Sequence, residues 1–281
     1  QLTGKRGVAE TQIAFLSRDN KNTEIFSVDF DGYNSRKITN DNTLNLTPAW
    51  SPNGRWLIYT SYAGNNPDLI MIDRHNKSPR RTLLHMSGLN AAPSWSPVDD
   101  RLCLVLSKDE NSEIYILENN RKLRRLTRHF NIDTSPTWSP DGKKIAFTSD
   151  RSGRGAPQIY IMDALLGDKA GVQRISFNSS YNDNPAWSPD GDKIAYTSRV
   201  GRHFQIKIYN LTTKNSTVFT KSIGNKEQPT WSPDGRFLAY RHEKGSNTHT
   251  YIQRLGSNKA RQLTFGVGGG TNPSWSPYLN R

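Results

Sequence analysis

An all-β fold, a six-bladed β-propeller of four-stranded antiparallel blades, is what the sequence predicts, and three observations predict it. The first is a repeat. Six of the seven tryptophans in the 281-residue chain stand in the phrase Pro-x-Trp-Ser-Pro, at Trp50, Trp95, Trp138, Trp187, Trp231 and Trp275, spaced by 45, 43, 49, 44 and 44 residues. Units of that length holding four short strands are propeller blades. The second is turn chemistry. Asn53-Gly54, Asp141-Gly142, Asp190-Gly191 and Asp234-Gly235 follow the phrase, with Asp99-Asp100 the exception, and the glycine supplies the positive φ of a tight hairpin. The third is the ends. The last phrase, Pro273 to Pro277, has no further strands behind it, and the N-terminus has three strands with no phrase before them.

Within each unit the phrase is the innermost strand and the turn pair leads to a second, as in Lys144-Ile-Ala-Phe-Thr148. An alternating third strand follows, such as Gln158-Ile-Tyr-Ile-Met-Asp163. A short fourth carries Arg-x-Leu/Ile-Thr, as around Arg125-Leu126-Thr127. Residues 13–16, 24–29 and 36–39 supply the second to fourth strands of a blade whose first strand comes from the C-terminus, so residues 1–281 form one closed ring. Closure removes free sheet edges. It also explains how a chain with only 33% hydrophobic residues and a mean hydropathy of -0.76 can fold, because each core is a thin slab between neighbouring blades.

Several classes are excluded. No apolar run approaches the ~18 residues of a transmembrane helix, and Gln1-Leu-Thr-Gly-Lys-Arg6 lacks the form of a signal peptide. One cysteine rules out an internal disulfide framework and a Cys-based zinc site. Cys103 falls in the slot held elsewhere by Ile58, Ala146, Ala195, Ala239 and Ala14, so it is a core filler rather than a nucleophile. The next slot holds Tyr59, Leu104, Phe147, Tyr196, Tyr240 and Phe15, read as packing rather than a base-stacking platform. His242 and His249 share a stretch expected to be a loop, and no pair of histidines has metal-binding helical spacing. Gly268-Gly269-Gly270 precedes a strand, so it reads as a flexible loop rather than a phosphate cradle. Asp141, Asp190 and Asp234 sit where turn geometry wants aspartate, so no cofactor is assigned; a calcium ion in the channel stays an open alternative that no ligand pattern supports.

The run Pro136-Thr-Trp-Ser-Pro-Asp-Gly-Lys-Lys-Ile-Ala-Phe-Thr-Ser149 resembles the repeat shared by the TolB family and by the propeller domains of some oligopeptidases. Leu2-Thr-Gly-Lys-Arg-Gly7, Thr11-Gln-Ile-Ala-Phe15, Asp29-Phe-Asp-Gly-Tyr-Asn34, Thr148-Ser-Asp-Arg-Ser-Gly153 and Trp275-Ser-Pro-Tyr-Leu279 are similar to TolB propellers in particular. The resemblance spans the chain and implies a non-enzymatic, monomeric, periplasmic component of the Tol–Pal system of Gram-negative envelopes. It would bind the peptidoglycan-associated lipoprotein (Pal). The family's N-terminal α/β domain, associated with TolA, has no counterpart here, so a propeller alone is expected and TolA binding is not.

In that family the lipoprotein docks over the channel mouth, on loops leading into the innermost strands. By register the resemblance carries this role to Leu44, Asn45 and Leu46; Leu89 and Asn90; Asp133, Thr134 and Ser135; Asn182, Asp183 and Asn184; Gln228; and Asn272. Leu89 departs from the pattern, since the family commonly has His there. The alternative is an enzyme, either a metal-dependent polysaccharide lyase using channel histidines or the gating propeller of an oligopeptidase. The second lacks room for a hydrolase domain, and the first has only His85 and His129 in loops of the right phase.

The formal charge of +13 and pI near 9.8 invite a nucleic-acid reading. Blade phase argues otherwise. Basic residues recur after the turn pair (Arg55, Arg101, Lys143, Lys144, Lys193, Arg236) and entering the fourth strand (Arg36, Lys37, Arg80, Arg81, Arg124, Arg125, Arg174, Arg261). With Arg74, Lys77 and others they outnumber the acids on one face roughly two to one. The surplus is therefore expected on the face opposite the mouth.

Overall fold

The structure is a computed structural model that describes residues 6–19, 21–64, 66–75, 79–119, 121–153, 155–266 and 268–279. Six four-stranded antiparallel sheets form a ring. The first blade joins β1 (Gln12–Asp19), β2 (Asn22–Asp29) and β3 (Arg36–Lys37) to β24 (Thr271–Trp275), with β24 innermost. The second holds β4 (Asn45–Trp50), β5 (Trp56–Ser61), β6 (Asp68–Asp73) and β7 (Arg81–Leu84). The third holds β8 (Asn90–Trp95), β9 (Leu102–Asp109), β10 (Asn111–Leu117) and β11 (Leu123–Arg125). The fourth holds β12 (Asp133–Trp138), β13 (Lys144–Ser149), β14 (Gln158–Asp163) and β15 (Gly167–Arg174). The fifth holds β16 (Asn182–Trp187), β17 (Lys193–Val200), β18 (His203–Asn210) and β19 (Asn215–Val218). The sixth holds β20 (Asn225–Trp231), β21 (Phe237–Lys244), β22 (Asn247–Arg254) and β23 (Ala260–Gln262). Apart from a 3-10 turn at Val8–Glu10, the described residues contain no helix.

The repeated phrase has a separate task for each residue. Its serine is the hub of the first hairpin: Ser51 Oγ donates to Asn53 Oδ1 (2.7 Å) and accepts the Trp56 N–H (2.9 Å), and Ser139 and Ser232 repeat this with Asp141 and Asp234. Its tryptophan packs between blades. The indole N–H of Trp50, Trp138 and Trp231 reaches a backbone carbonyl of the preceding blade's inner strand, at Ser274, Ser94 and Ala186. The fourth-strand threonine is a second hub, its hydroxyl accepting a third-strand backbone N–H, as Thr127 does from Ile114 (2.9 Å).

Six apolar clusters lie one in each cleft between neighbouring blades, as the thin-slab reading requires. Burying each Ile, Leu or Phe in such a slab is worth about 1.5–3 kcal/mol. Cys103 sits in the slab between the third and fourth blades, and burial pushes its thiol pKa up. At the seam, Ile13 pairs with Trp275 and Ser276 N–H donates to Gln12 (2.9 Å), closing the ring.

Two sequence expectations change. His242 and His249 are not in a loop; they face each other across the β21–β22 hairpin, because eight residues on each side pair without interruption. The glycine run is not a loose loop either. A Cβ on Gly268 would stand 2.6 Å from the Arg18 carbonyl oxygen, and one on Gly269 would stand 2.5 Å from that of Thr248. The run is glycine because the backbones of the first and sixth blades close on it.

Candidate functional site: the channel mouth

The strand pairing sets two faces. Asn45 pairs with Ser61 and Ser61 with Asp68, so the fourth-to-first and second-to-third connections share one face, the mouth. Trp56 pairs with Asp73 at the other end, so the turn pairs and third-to-fourth connections share the opposite face.

Each innermost strand enters the ring through a bulge. Pairing slips between Leu46 and Ala49, Ala91 and Ser94, Thr134 and Thr137, Asp183 and Ala186, and Glu227 and Thr230. Inside each bulge the residue before proline is left-handed: Thr47 (φ 47°), Ala92 (49°), Ser135 (52°), Asn184 (51°), Gln228 (58°) and Asn272 (47°). Proline has no N–H to lose from the ladder, so the bulge forms there at least cost. A left-handed L-residue nonetheless costs roughly 1–2 kcal/mol. The six strained residues together line a channel cavity of about 390 Å³.

Lateral bonds lock this ring. Asn272 N–H donates to Gln228 Oε1 (2.9 Å) and Gln228 N–H to Thr197 Oγ1 (3.0 Å). Asp183 gathers Thr148 (2.8 Å), Ser135 (3.3 Å) and Tyr181 (3.3 Å) around one carboxylate. Gln228, Asn272, Ser135, Asp183 and Asn184 thus meet at the mouth. Thr47 and Ala92 belong to the same ring, although sequence reading did not single them out. Their signal was the register of the residue before proline.

Four residues expected in the site do not present themselves to a partner. Asn45, Asn90, Asp133 and Asn182 are fully buried, because their side chains anchor the loops from within. Asn90 donates to the carbonyls of Met86 (2.7 Å) and Pro67 (2.9 Å). Asn182 donates to Gln158 (2.8 Å) and Asn45 to Glu24 (3.2 Å). Asp133 pairs with Arg151 (2.8 Å), yet burial pushes its pKa up to about 6 against that attraction. Lys226 takes the same register and donates to the Ile223 and Gly224 carbonyls; burial pulls its pKa down to about 8. Of the others, Leu44 is exposed, Leu46 packs partly into the cleft between the first two blades, and Leu89 and Thr134 are half-buried.

The face that bears the mouth also carries exposed apolar side chains. Phe130 (86% exposed), Ile223 (74%) and Phe265 (72%) stand on fourth-to-first loops, joined by Phe177 and Ile132. Large apolar groups held in water on one face stand out from scattered surface residues. Histidines do not converge there. His85 bonds Asp68 (2.7 Å) and His129 stacks on Phe130 (4.5 Å between centroids). Among the described residues, no three His, Cys, Asp or Glu side chains form a group that could hold a metal.

The fold and site together define a closed six-bladed propeller with a laterally bonded channel mouth. The family model described as the TolB beta propeller domain matches residues 1–279, and the chain belongs to that family. It is 44% identical over 129 residues to the Tol-Pal system protein TolB of Desulfosudis oleivorans, a match covering 46% of this chain and 29% of that protein. It is 38% identical over 151 residues to a TolB homolog of Chlorobium chlorochromatii, covering 53% of this chain and 34% of that protein. The crystal structure of TolB from Acinetobacter baumannii superposes with a TM-score of 0.86 at 28% identity, over 98% of this chain and 69% of that one. The matches span about a third of the length of the curated relatives.

Proposed function

We propose that this propeller is a non-enzymatic periplasmic component of the Tol–Pal system that docks the peptidoglycan-associated lipoprotein over its channel mouth. One observation carries the reading: the ring from Thr47 to Asn272 is strained and laterally bonded, and its face exposes Phe130, Phe177, Ile223 and Phe265. Strain is retained where surrounding structure over-determines it, most often at functional sites. A rigid mouth binds without paying for its own ordering, and the exposed apolar side chains supply anchors. The relatives' names, a Tol-Pal system protein TolB and a TolB homolog, support the same reading. TolA engagement is proposed only for a longer protein carrying a further domain. No observation favours the lyase alternative, since His85 and His129 are engaged at the rim.

Calorimetric titration with the soluble domain of the lipoprotein tests it. A saturable heat with one-to-one stoichiometry is expected, and Phe130→Ser with Phe177→Ser should weaken it by about thirtyfold or more, the worth of one or two buried aromatic anchors. An absence of heat at tens of micromolar protein would overturn the reading.

A further inference from the structure

On the face opposite the mouth, three blades neutralise the basic residue that follows their turn. Arg101 pairs with Asp99 (2.9 Å), Lys193 with Asp190 and Asp192 (3.4 and 2.5 Å), and Arg236 with Asp234 (2.7 Å), each carboxylate belonging to the turn just before. The second blade has no carboxylate for this, because its turn is Asn53-Gly54. Asn53 Oδ1 still accepts from Ser51 Oγ (2.7 Å) and from the Arg55 N–H (3.0 Å), so the turn forms, but it carries no charge.

The consequence is a cluster of arginines. Arg55 turns away to Asp73 (3.3 Å), which is 1% exposed. Its guanidinium lies 4.7 Å from the centre of the Trp56 ring, and Arg81 lies 5.2 Å from the same ring. Arg74 follows Asp73 directly; burial, and next the charge of Arg36, pull its pKa down. Arg36 reaches in from the first blade, donating to Ser27 Oγ (3.1 Å) and Gln12 Oε1 (3.3 Å). Asp73 pairs with Arg55, and Asp29, joined to Arg36 through Gln12, accepts the amides of Gln12 (2.9 Å) and Asn34 (2.7 Å). Lys77 lies outside the described residues.

We propose that Arg36, Arg55, Arg74 and Arg81 form a binding site for a phosphate-bearing ligand. All four are arginines, whose planar forks match phosphate oxygens two at a time. Stacking on Trp56 fixes two of them in advance, so less rotamer freedom is lost on binding. Their mutual repulsion is offset in part by Asp73, which pairs with Arg55, and an anion would relieve it further. The site is independent of the mouth and of the reading made for it.

Inorganic pyrophosphate, titrated calorimetrically at low salt, is the probe. Arg36→Gln combined with Arg74→Gln should weaken binding by at least about tenfold. Arg101→Gln combined with Arg236→Gln, which removes the same charge from internally paired sites, should leave it within twofold. Asn53→Asp, which restores the missing turn carboxylate without disturbing the turn, should also weaken binding several-fold. Circular dichroism and the thermal midpoint would show that every variant is folded. Co-sedimentation with phosphatidylglycerol vesicles separates the two sources of the phosphate: the same Arg36 and Arg74 dependence there identifies a lipid headgroup, and its absence alongside pyrophosphate binding identifies a free phosphate. Equal losses in the two double variants, or a polyglutamate peptide binding where pyrophosphate does not, would overturn the proposal.

Discussion

Asp133 offers the sharpest test of how the mouth is anchored. It is fully buried, it stands where three other blades use Asn45, Asn90 and Asn182, and its carboxyl titrates near 6 rather than at the usual 3.8. Desolvation is the main cause; Arg151 opposes it, and Glu113, itself paired with Arg125 (2.9 Å), adds to it. Between those two pH values the native state binds more protons than the unfolded chain, so Asp133 makes stability fall as pH rises. Each tenfold change in proton affinity is worth about 1.4 kcal/mol, so the displacement amounts to about 3 kcal/mol. Asp133→Asn removes this slope and supplies the residue the other blades use. Relative to the parent, the variant should gain about 2.4 kcal/mol of that between pH 4 and pH 7, whatever Arg151 contributes at a fixed pH, because the unfolded carboxyl is already largely ionised at pH 4. Urea unfolding at pH 4, 5, 6 and 7 measures this directly. A stability gap that stays constant, or shrinks as pH rises, would refute the reasoning.

Three further outcomes follow from the repeat. Trp50→Phe should cost about 1 kcal/mol beyond packing, because the indole N–H bonds Ser274 of the neighbouring blade, whereas Trp95→Phe should cost less, since Trp95 Nε1 has no hydrogen-bond partner among the described residues; denaturant midpoints compare them. Ala92→Gly should leave stability unchanged or raise it by up to about 1 kcal/mol, since φ is 49° there, while Ala91→Gly beside it should lower it by about 0.5–1 kcal/mol. Trp275→Ala should cost about 3–5 kcal/mol and speed proteolysis at the seam, since that ring joins the last strand to the first blade.

The architecture was legible because tryptophan phrases and turn glycines recur with a fixed period, and a closed ring needs both ends to complete one blade. The site was legible only to the level of the loop. Residues such as Asn182, Asp183 and Asn184 are equally small and polar, and nothing local says which is buried. The bulge decides it: the first turns inward as an anchor, the second gathers neighbours, and the third faces the channel. Phe130 and Phe265 escaped notice because an aromatic in a loop carries no periodic signal. The glycine run misled for a related reason, since glycine marks both freedom and close approach, and only the packing of Arg18 and Thr248 against it distinguishes them. Basic residues follow the blade period in the sequence, and where the turn loses its aspartate, at Asn53, Arg55 pairs with Asp73 instead.

The central claim is that the mouth, not the arginine-bearing face, receives the protein partner. Titrating the soluble domain of the peptidoglycan-associated lipoprotein into three proteins tests it: the parent chain, Phe130→Ser with Phe177→Ser, and Arg36→Gln with Arg74→Gln. Loss of binding in the phenylalanine variant, with the arginine variant within twofold of the parent, is the result expected. The opposite pattern, affinity lost with the arginines and retained without the phenylalanines, would contradict it.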